Sequence, residues 1–274
     1  MDVELRIKRF LSWGENKNHS KKSISFMLKD LMVKMDLSHR IRYETILNHI
    51  KKNNLSNSNI LEVGSGSIGI TRYFKKRVVG ADLNFDGPKL PYLKPIECSA
   101  TELPFENNEF DLAISIDMIE HLNKDERTAV IAEMLRVSKK WVIVTFPCGP
   151  TAKTWEEKAW RHREQKLKKI KNKKEWLHIF RRGNFLFEHR TNCLPQTDEI
   201  LKSIENTSCS NIRTKVVRKH SVLIWYIMAL AKINSNLFVR ISSLILSNLL
   251  APLIKRVLWC GHYREFFIIE KVSR

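Results

Sequence analysis

The sequence predicts an α/β fold built on a doubly wound parallel sheet, and three observations carry that prediction. From residue 60 to about 148 short apolar runs alternate with segments of helical spacing, the pattern of strands joined by crossover helices. Several of the runs read as fully buried strands: ILEVG, FDLAISI (110–116) and WVIVTFP (141–147). The first run enters a glycine-rich turn within NILEVGSGSIGI (59–70), where a strand gives way to a helix.

Taken in order, residues 1 to about 58 form a basic helical cap. IRYETILNHIKK (41–52) places Ile41, Ile46 and Ile50 on one helical face. The polar stretch Asn53–Asn59 is a turn-rich junction. ILEVG follows as a strand, ITRYFKK carries the start of a helix, and RVVGADL is a second strand ending in an acid. After FDLAISI, Asn123 caps a helix with Asp125 and Glu126 in its first turn, a placement the helix dipole favours. Val130, Ile131, Met134, Leu135 and Val137 repeat along it at helical spacing. Residues 59–150 make a core and 151–274 a region of different character. That region holds a basic, tryptophan-bearing segment (153–183), an amphipathic helix begun by Thr197 and a strand in NIRTKVV. A strongly apolar stretch (221–258) and a closing strand in HYREFFIIEKV complete it.

The formal charge of +19 points to an anionic partner, nucleic acid or a phospholipid surface, unless it serves solubility alone. Five scattered cysteines without a C-x-x-C pair argue against a disulfide framework or a zinc site, and for a reducing compartment. No metal site is read from the sequence. The start lacks an apolar run followed by a small-residue cleavage site, so a cytoplasmic location is expected, with peripheral membrane attachment as an option.

Gly64, Gly66 and Gly69 spell G-x-G-x-x-G, a pattern shared by several nucleotide sites. In a dinucleotide site the following helix receives a pyrophosphate. Glu62, two residues before the first glycine, would repel that anion and would suit a cationic tail such as a sulfonium or an α-ammonium. Asp82, at the tip of the second strand, stands where an acid accepts hydrogen bonds from ribose hydroxyls. Together these residues indicate S-adenosylmethionine and speak against a nicotinamide oxidoreductase.

SATELPFENNEFDLAISIDMIEHL (99–122) then resembles the class I S-adenosylmethionine-dependent methyltransferases, in the subgroup with L-P-F and E-H-L motifs. The resemblance runs from about residue 59 to 149. It implies a seven-stranded Rossmann-like sheet with an antiparallel last strand, here preceded by a helical insertion. It also implies that Glu62, Gly64, Ser65 and Gly66 line the methionine end, that Asp82 holds the ribose, and that Leu83 and Ala100 flank the adenine. Ser115 is placed in the turn after the fourth strand. Ser99 stands where the family usually has an acid to accept the adenine amino group; its hydroxyl is a weaker acceptor.

Asp117, Glu120 and His121 follow a strand at its C-terminal end, where open α/β sheets bind ligands. His121 and Asp117 are therefore the catalytic candidates, against the alternative that E-H-L merely opens a helix. Asp111, at a strand start, reads as structural, and Cys148 as a buried strand-end thiol. The acceptor is expected to be a small or lipid-linked molecule, methylated on oxygen or another heteroatom. An RNA acceptor on the basic, aromatic segment is the less favoured alternative, and a non-catalytic S-adenosylmethionine-binding module is another. The 221–258 stretch reads as two helices broken by Lys232 and Asn234, neither run long enough to span a bilayer. They form a lid, a subunit contact or a membrane-lying element on an anionic surface.

Overall fold

The computed structural model describes residues 37–87, 90–207, 211–233, 241–242, 245–246, 249 and 261–272. Seven strands form a single sheet: β1 (Ile60–Val63), β2 (Val78–Asp82), β3 (Leu93–Glu97), β4 (Phe110–Ile116), β5 (Ser138–Pro147), β6 (Ile212–Ser221) and β7 (His262–Lys271). Their spatial order is β3-β2-β1-β4-β5-β7-β6. β1 to β5 pair in parallel, and β7 runs antiparallel to both β5 and β6. This is the expected Rossmann-like methyltransferase sheet with its reversed last strand.

Parallel strands need both faces covered, and alternation along each strand sends successive residues to opposite faces. On β4, Leu112 and Ile114 join the core under α1 (Leu37–Lys52), while Ala113 joins the opposite core. On β7, Phe266 and Phe267 divide in the same way. Ile41, Ile46 and Ile50 of α1 are buried, as the helical spacing requires. α2 (Lys124–Val137) closes the other face with its predicted apolar residues. Its start is a capping box in which Asn123 and Glu126 satisfy each other's amides. α6 (Thr197–Thr207) packs beside it through Ile200 and Ile204.

Between β5 and α6 the basic segment folds as α3 (Gly149–Lys169), α4 (Lys173–Arg182) and α5 (Asn184–Asn192). α7 (Val222–Ile233) is inserted between β6 and β7. Trp225 of α7 stacks on Tyr263 of β7, ring centroids 4.1 Å apart. Together with Ala152, Ala159 and Leu186 they form a third buried cluster.

Two expectations need correction. ITRYFKK does not begin an α-helix; Gly69–Arg72 makes one 3-10 turn. The turn is fixed from within, because Glu62 Oε2 accepts from the Ile70 amide at 2.6 Å and Gly69 holds φ +49°. Ser115 lies inside β4, not in the turn after it. Pairing to Val63 of β1 and Val144 of β5 carries the strand on to Ile116. β3 went unread because it is an edge strand, half exposed and carrying Pro95, which an edge tolerates. The second helix of the apolar insertion falls largely outside the described residues. No helix among the described residues is long and apolar enough to cross a membrane.

Candidate active site

Two neighbouring regions meet where β1, β4 and β5 end. The first is the glycine turn. Gly64 adopts φ +75°, and a Cβ there would stand 2.6 Å from Met118 Cγ. Only glycine lets the turn sit so closely on the segment that follows β4. The Gly64 amide donates to Ala81 O at 2.8 Å. Asp82 Oδ2 accepts from the Gly66 amide at 2.6 Å and Oδ1 from the Leu83 amide at 2.8 Å. Each oxygen keeps a further lone pair for a ligand hydroxyl. Ser65 is buried and its hydroxyl donates to Gly66 O.

Glu62 is buried, and desolvation pushes its carboxyl up to about 8 against the Ile70 hydrogen bond, with Asp82 adding to the rise. A buried acid of this kind favours an arriving cation. Leu83 is 75% exposed at the end of β2. Ala100 is half-buried against the core, and Ser99 is exposed with its hydroxyl on Thr101 Oγ1 at 2.7 Å. Ser115 Oγ is buried without a hydrogen-bond partner. Glu62, Gly64, Ser65, Gly66 and Asp82 thus meet at one turn, with two carboxylates beside it. That set fits S-adenosylmethionine.

The second region is a cavity of about 420 Å³. Its polar wall comes from Arg42 of α1, Asp117, Glu120 and His121 after β4, His189 of α5 and Arg264 of β7. Its apolar wall comes from Pro147, Phe185 and α7, through Trp225, Met228 and Ala229. Part of the apolar insertion therefore covers this cavity.

Asp117 has φ +54°, a left-handed conformation rare outside glycine. Both Arg42 and Arg264 pair with its carboxylate. Burial alone would raise this acid, but the two guanidiniums outweigh it and hold Asp117 at about 2. Asp117 is thus an anion committed to positioning arginines.

Glu120 is pushed the other way, up to about 8, by burial and by the Asp117 charge. His121 Nδ1 lies 2.8 Å from Glu188 Oε2, close but poorly aligned for a hydrogen bond. Burial and the neighbouring His189 lower the His121 imidazole. Its backbone is pinned by Asn192, whose side-chain amide donates to His121 O at 2.5 Å. His189 opposes burial with Glu156, whose oxygens lie 2.9 and 3.1 Å from Nδ1, and its basicity rises. Tyr263 donates to Glu156 at 2.5 Å.

The sequence located Asp117, Glu120 and His121 but missed Arg42, Glu156, His189, Tyr263 and Arg264. One signal was available: Arg264 and Glu265 directly precede the apolar run Phe266–Ile269 of the closing strand, and both are buried there, which demands partners. Asp111 proves structural, accepting from the Asn59 amide at 2.9 Å. Cys148 is buried against Pro195 O, and burial raises its thiol far from thiolate.

Residues 61–145 match the family model described as a methyltransferase domain. No curated protein matches the chain. Many solved structures resemble it, three of them as follows. The magnesium protoporphyrin IX methyltransferase of Synechocystis, with bound S-adenosylhomocysteine, is 11% identical with a TM-score of 0.48, over 90% of this chain and 88% of that one. The geranyl diphosphate C-methyltransferase of Streptomyces coelicolor is 13% identical with a TM-score of 0.43, over 86% and 79%. The phosphoethanolamine N-methyltransferase 2 of Haemonchus contortus, in complex with S-adenosylmethionine, is 16% identical with a TM-score of 0.46, over 78% and 49%.

Proposed function

We propose that this chain, whose residues 61–145 match a methyltransferase domain model, is a class I S-adenosylmethionine-dependent methyltransferase that methylates an oxygen of a small or lipid-linked acceptor bound in the 420 Å³ cavity. The cavity carries the proposal: its wall residue Asp117 immediately precedes Met118, which packs on Gly64, and it sets an apolar wall against a titratable one. An amphipathic molecule with a reactive polar end fits such a pocket.

S-adenosylmethionine supplies an electrophilic methyl group on a sulfonium. Glu62 faces its cationic end, Asp82 its ribose, Ser99 and Ala100 its adenine. Arg42 and Arg264, fixed by Asp117, hold the cavity's polar floor. Held at the glycine turn, the cofactor would offer that methyl to the acceptor oxygen and would leave as S-adenosylhomocysteine. His121 assists loss of the acceptor's proton. Orientation and proton removal are the enzyme's main contributions to such a displacement.

The membrane reading rests on side chains. Ile227 on α7 is 49% exposed, and Leu246 and Leu249 are 56% and 71% exposed. With basic residues throughout the chain, this apolar insertion suits an anionic lipid surface. Incubating the protein and labelled S-adenosylmethionine with cell extract, then separating lipid, RNA, protein and small molecules, tests both parts. Label in the lipid or small-molecule fraction, as an alkali-stable ether or an alkali-labile ester, is expected. Label in RNA would overturn the proposal and return the basic segment α3–α4 to the acceptor site.

A further inference from the structure

Among the buried atoms at the polar end of the cavity that lack a hydrogen-bond partner, two stand out. Glu120, 1% exposed, leaves Oε2 without a hydrogen-bond partner, and His189, 5% exposed, leaves Nε2 without one. Leaving such groups unpaired in the interior is costly. The two belong to one cluster: a ligand atom from each of Glu120, His121 and His189 lies within 4.8 Å of the others. We propose that these three residues bind a divalent cation of the zinc class.

Two features point to that ligand. His189 is braced at Nδ1 by the Glu156 carboxylate, an acceptor, so Nδ1 carries the hydrogen and Nε2 presents its lone pair to the cluster. Tyr263 in turn fixes Glu156. A carboxylate behind an imidazole is the outer arrangement that orients metal-binding histidines. Second, two imidazoles and one carboxylate suit zinc, cobalt or iron(II) rather than magnesium or calcium, which prefer oxygen sets.

Three protein ligands leave a coordination position open to the cavity. Its use rests on the acceptor reading above: an acceptor hydroxyl there would be acidified by the ion, and His121 would then assist proton loss through the ion it holds rather than as the base itself. Binding of the ion itself stands on the three residues alone.

The test is calorimetric titration of untagged, chelator-treated protein with zinc chloride, without cofactor or acceptor. Stoichiometric binding is expected in the wild type and abolished in Glu120→Gln and His189→Ala. Glu156→Gln, which keeps all three ligands, should weaken it about 10- to 100-fold. Cobalt(II) added to the wild type should give the intense visible bands of a low-coordinate nitrogen–oxygen site, a readout independent of whether the variants fold. No stoichiometric zinc uptake by the wild type, or equal uptake by His189→Ala, would overturn the site. Zinc uptake with label later found only in RNA would instead leave the metal site standing and remove the acceptor reading.

Discussion

The two ends of the catalytic face are built by different means. On the β1–β2 side, Glu62, the glycine turn and Asp82 lie within one short stretch of chain, and the geometry is held mainly by backbone amides donating to two carboxylates. On the β4–β7 side, Asp117 meets an arginine 147 positions away and Glu156 a tyrosine 107 positions away. There, buried charged side chains meet from α1, α3, α5 and β7 and from the turn after β4. A cofactor shared by many enzymes needs a local, backbone-made cradle; an acceptor particular to one enzyme is read by long-range side-chain networks. The first should tolerate change in the second.

The largest effect expected from breaking this division is on the acceptor side. Arg264→Leu removes the buried arginine and leaves the half-buried Asp117 with Arg42 alone, so the loss should approach the lower end of the about 3–5 kcal/mol that breaking a buried ion pair costs. Chemical denaturation should show that loss. A loss below about 1 kcal/mol would mean the network is loosely solvated and does not shape the cavity.

A medium effect is expected from Glu62→Gln, read in the pH dependence of stability. In the folded protein Glu62 sits at about 8 against an ordinary 4.5, so its protonated form is favoured by folding. Its contribution is complete below about 4.5 and is lost as pH rises toward 8. Cofactor-free wild-type protein should therefore lose melting temperature across that range, and Glu62→Gln should lose less. Parallel curves would show that Glu62 is already ionised and hydrated.

The smallest effect should come from Ser99→Asp. The serine hydroxyl accepts from the Thr101 amide at 3.2 Å, a cap that aspartate also makes. Affinity for S-adenosylhomocysteine should stay or tighten severalfold, because a carboxylate is the stronger acceptor. A large loss would place the adenine elsewhere.

The same contrast explains what the sequence made legible. The meeting of Glu62, Gly64, Gly66 and Asp82 at one turn was legible because their spacing is itself the structure. α2 was found because its cap, first-turn acids and apolar spacing agree. The helix expected after the glycine turn was wrong because Glu62 binds Ile70 across the turn, a contact no local pattern encodes. His189 and Glu156 were invisible because a histidine on α5 and a glutamate on α3 look like surface residues until β7 and α7 bury them together. Asp117 and His121 were located but not distinguished; only the two arginines from α1 and β7 separate the committed anion from the histidine.

The central claim is that cofactor binding and acceptor chemistry are separable across these two ends. Calorimetry of S-adenosylhomocysteine on the wild type, Asp82→Ala and His121→Ala, alongside turnover on the acceptor fraction, tests it directly. Asp82→Ala should lose about 1.5–3 kcal/mol of cofactor affinity for each charge-assisted hydrogen bond removed. His121→Ala should keep wild-type affinity and lose about a hundredfold in turnover. Cofactor affinity intact in Asp82→Ala, or lost in His121→Ala, would contradict the account.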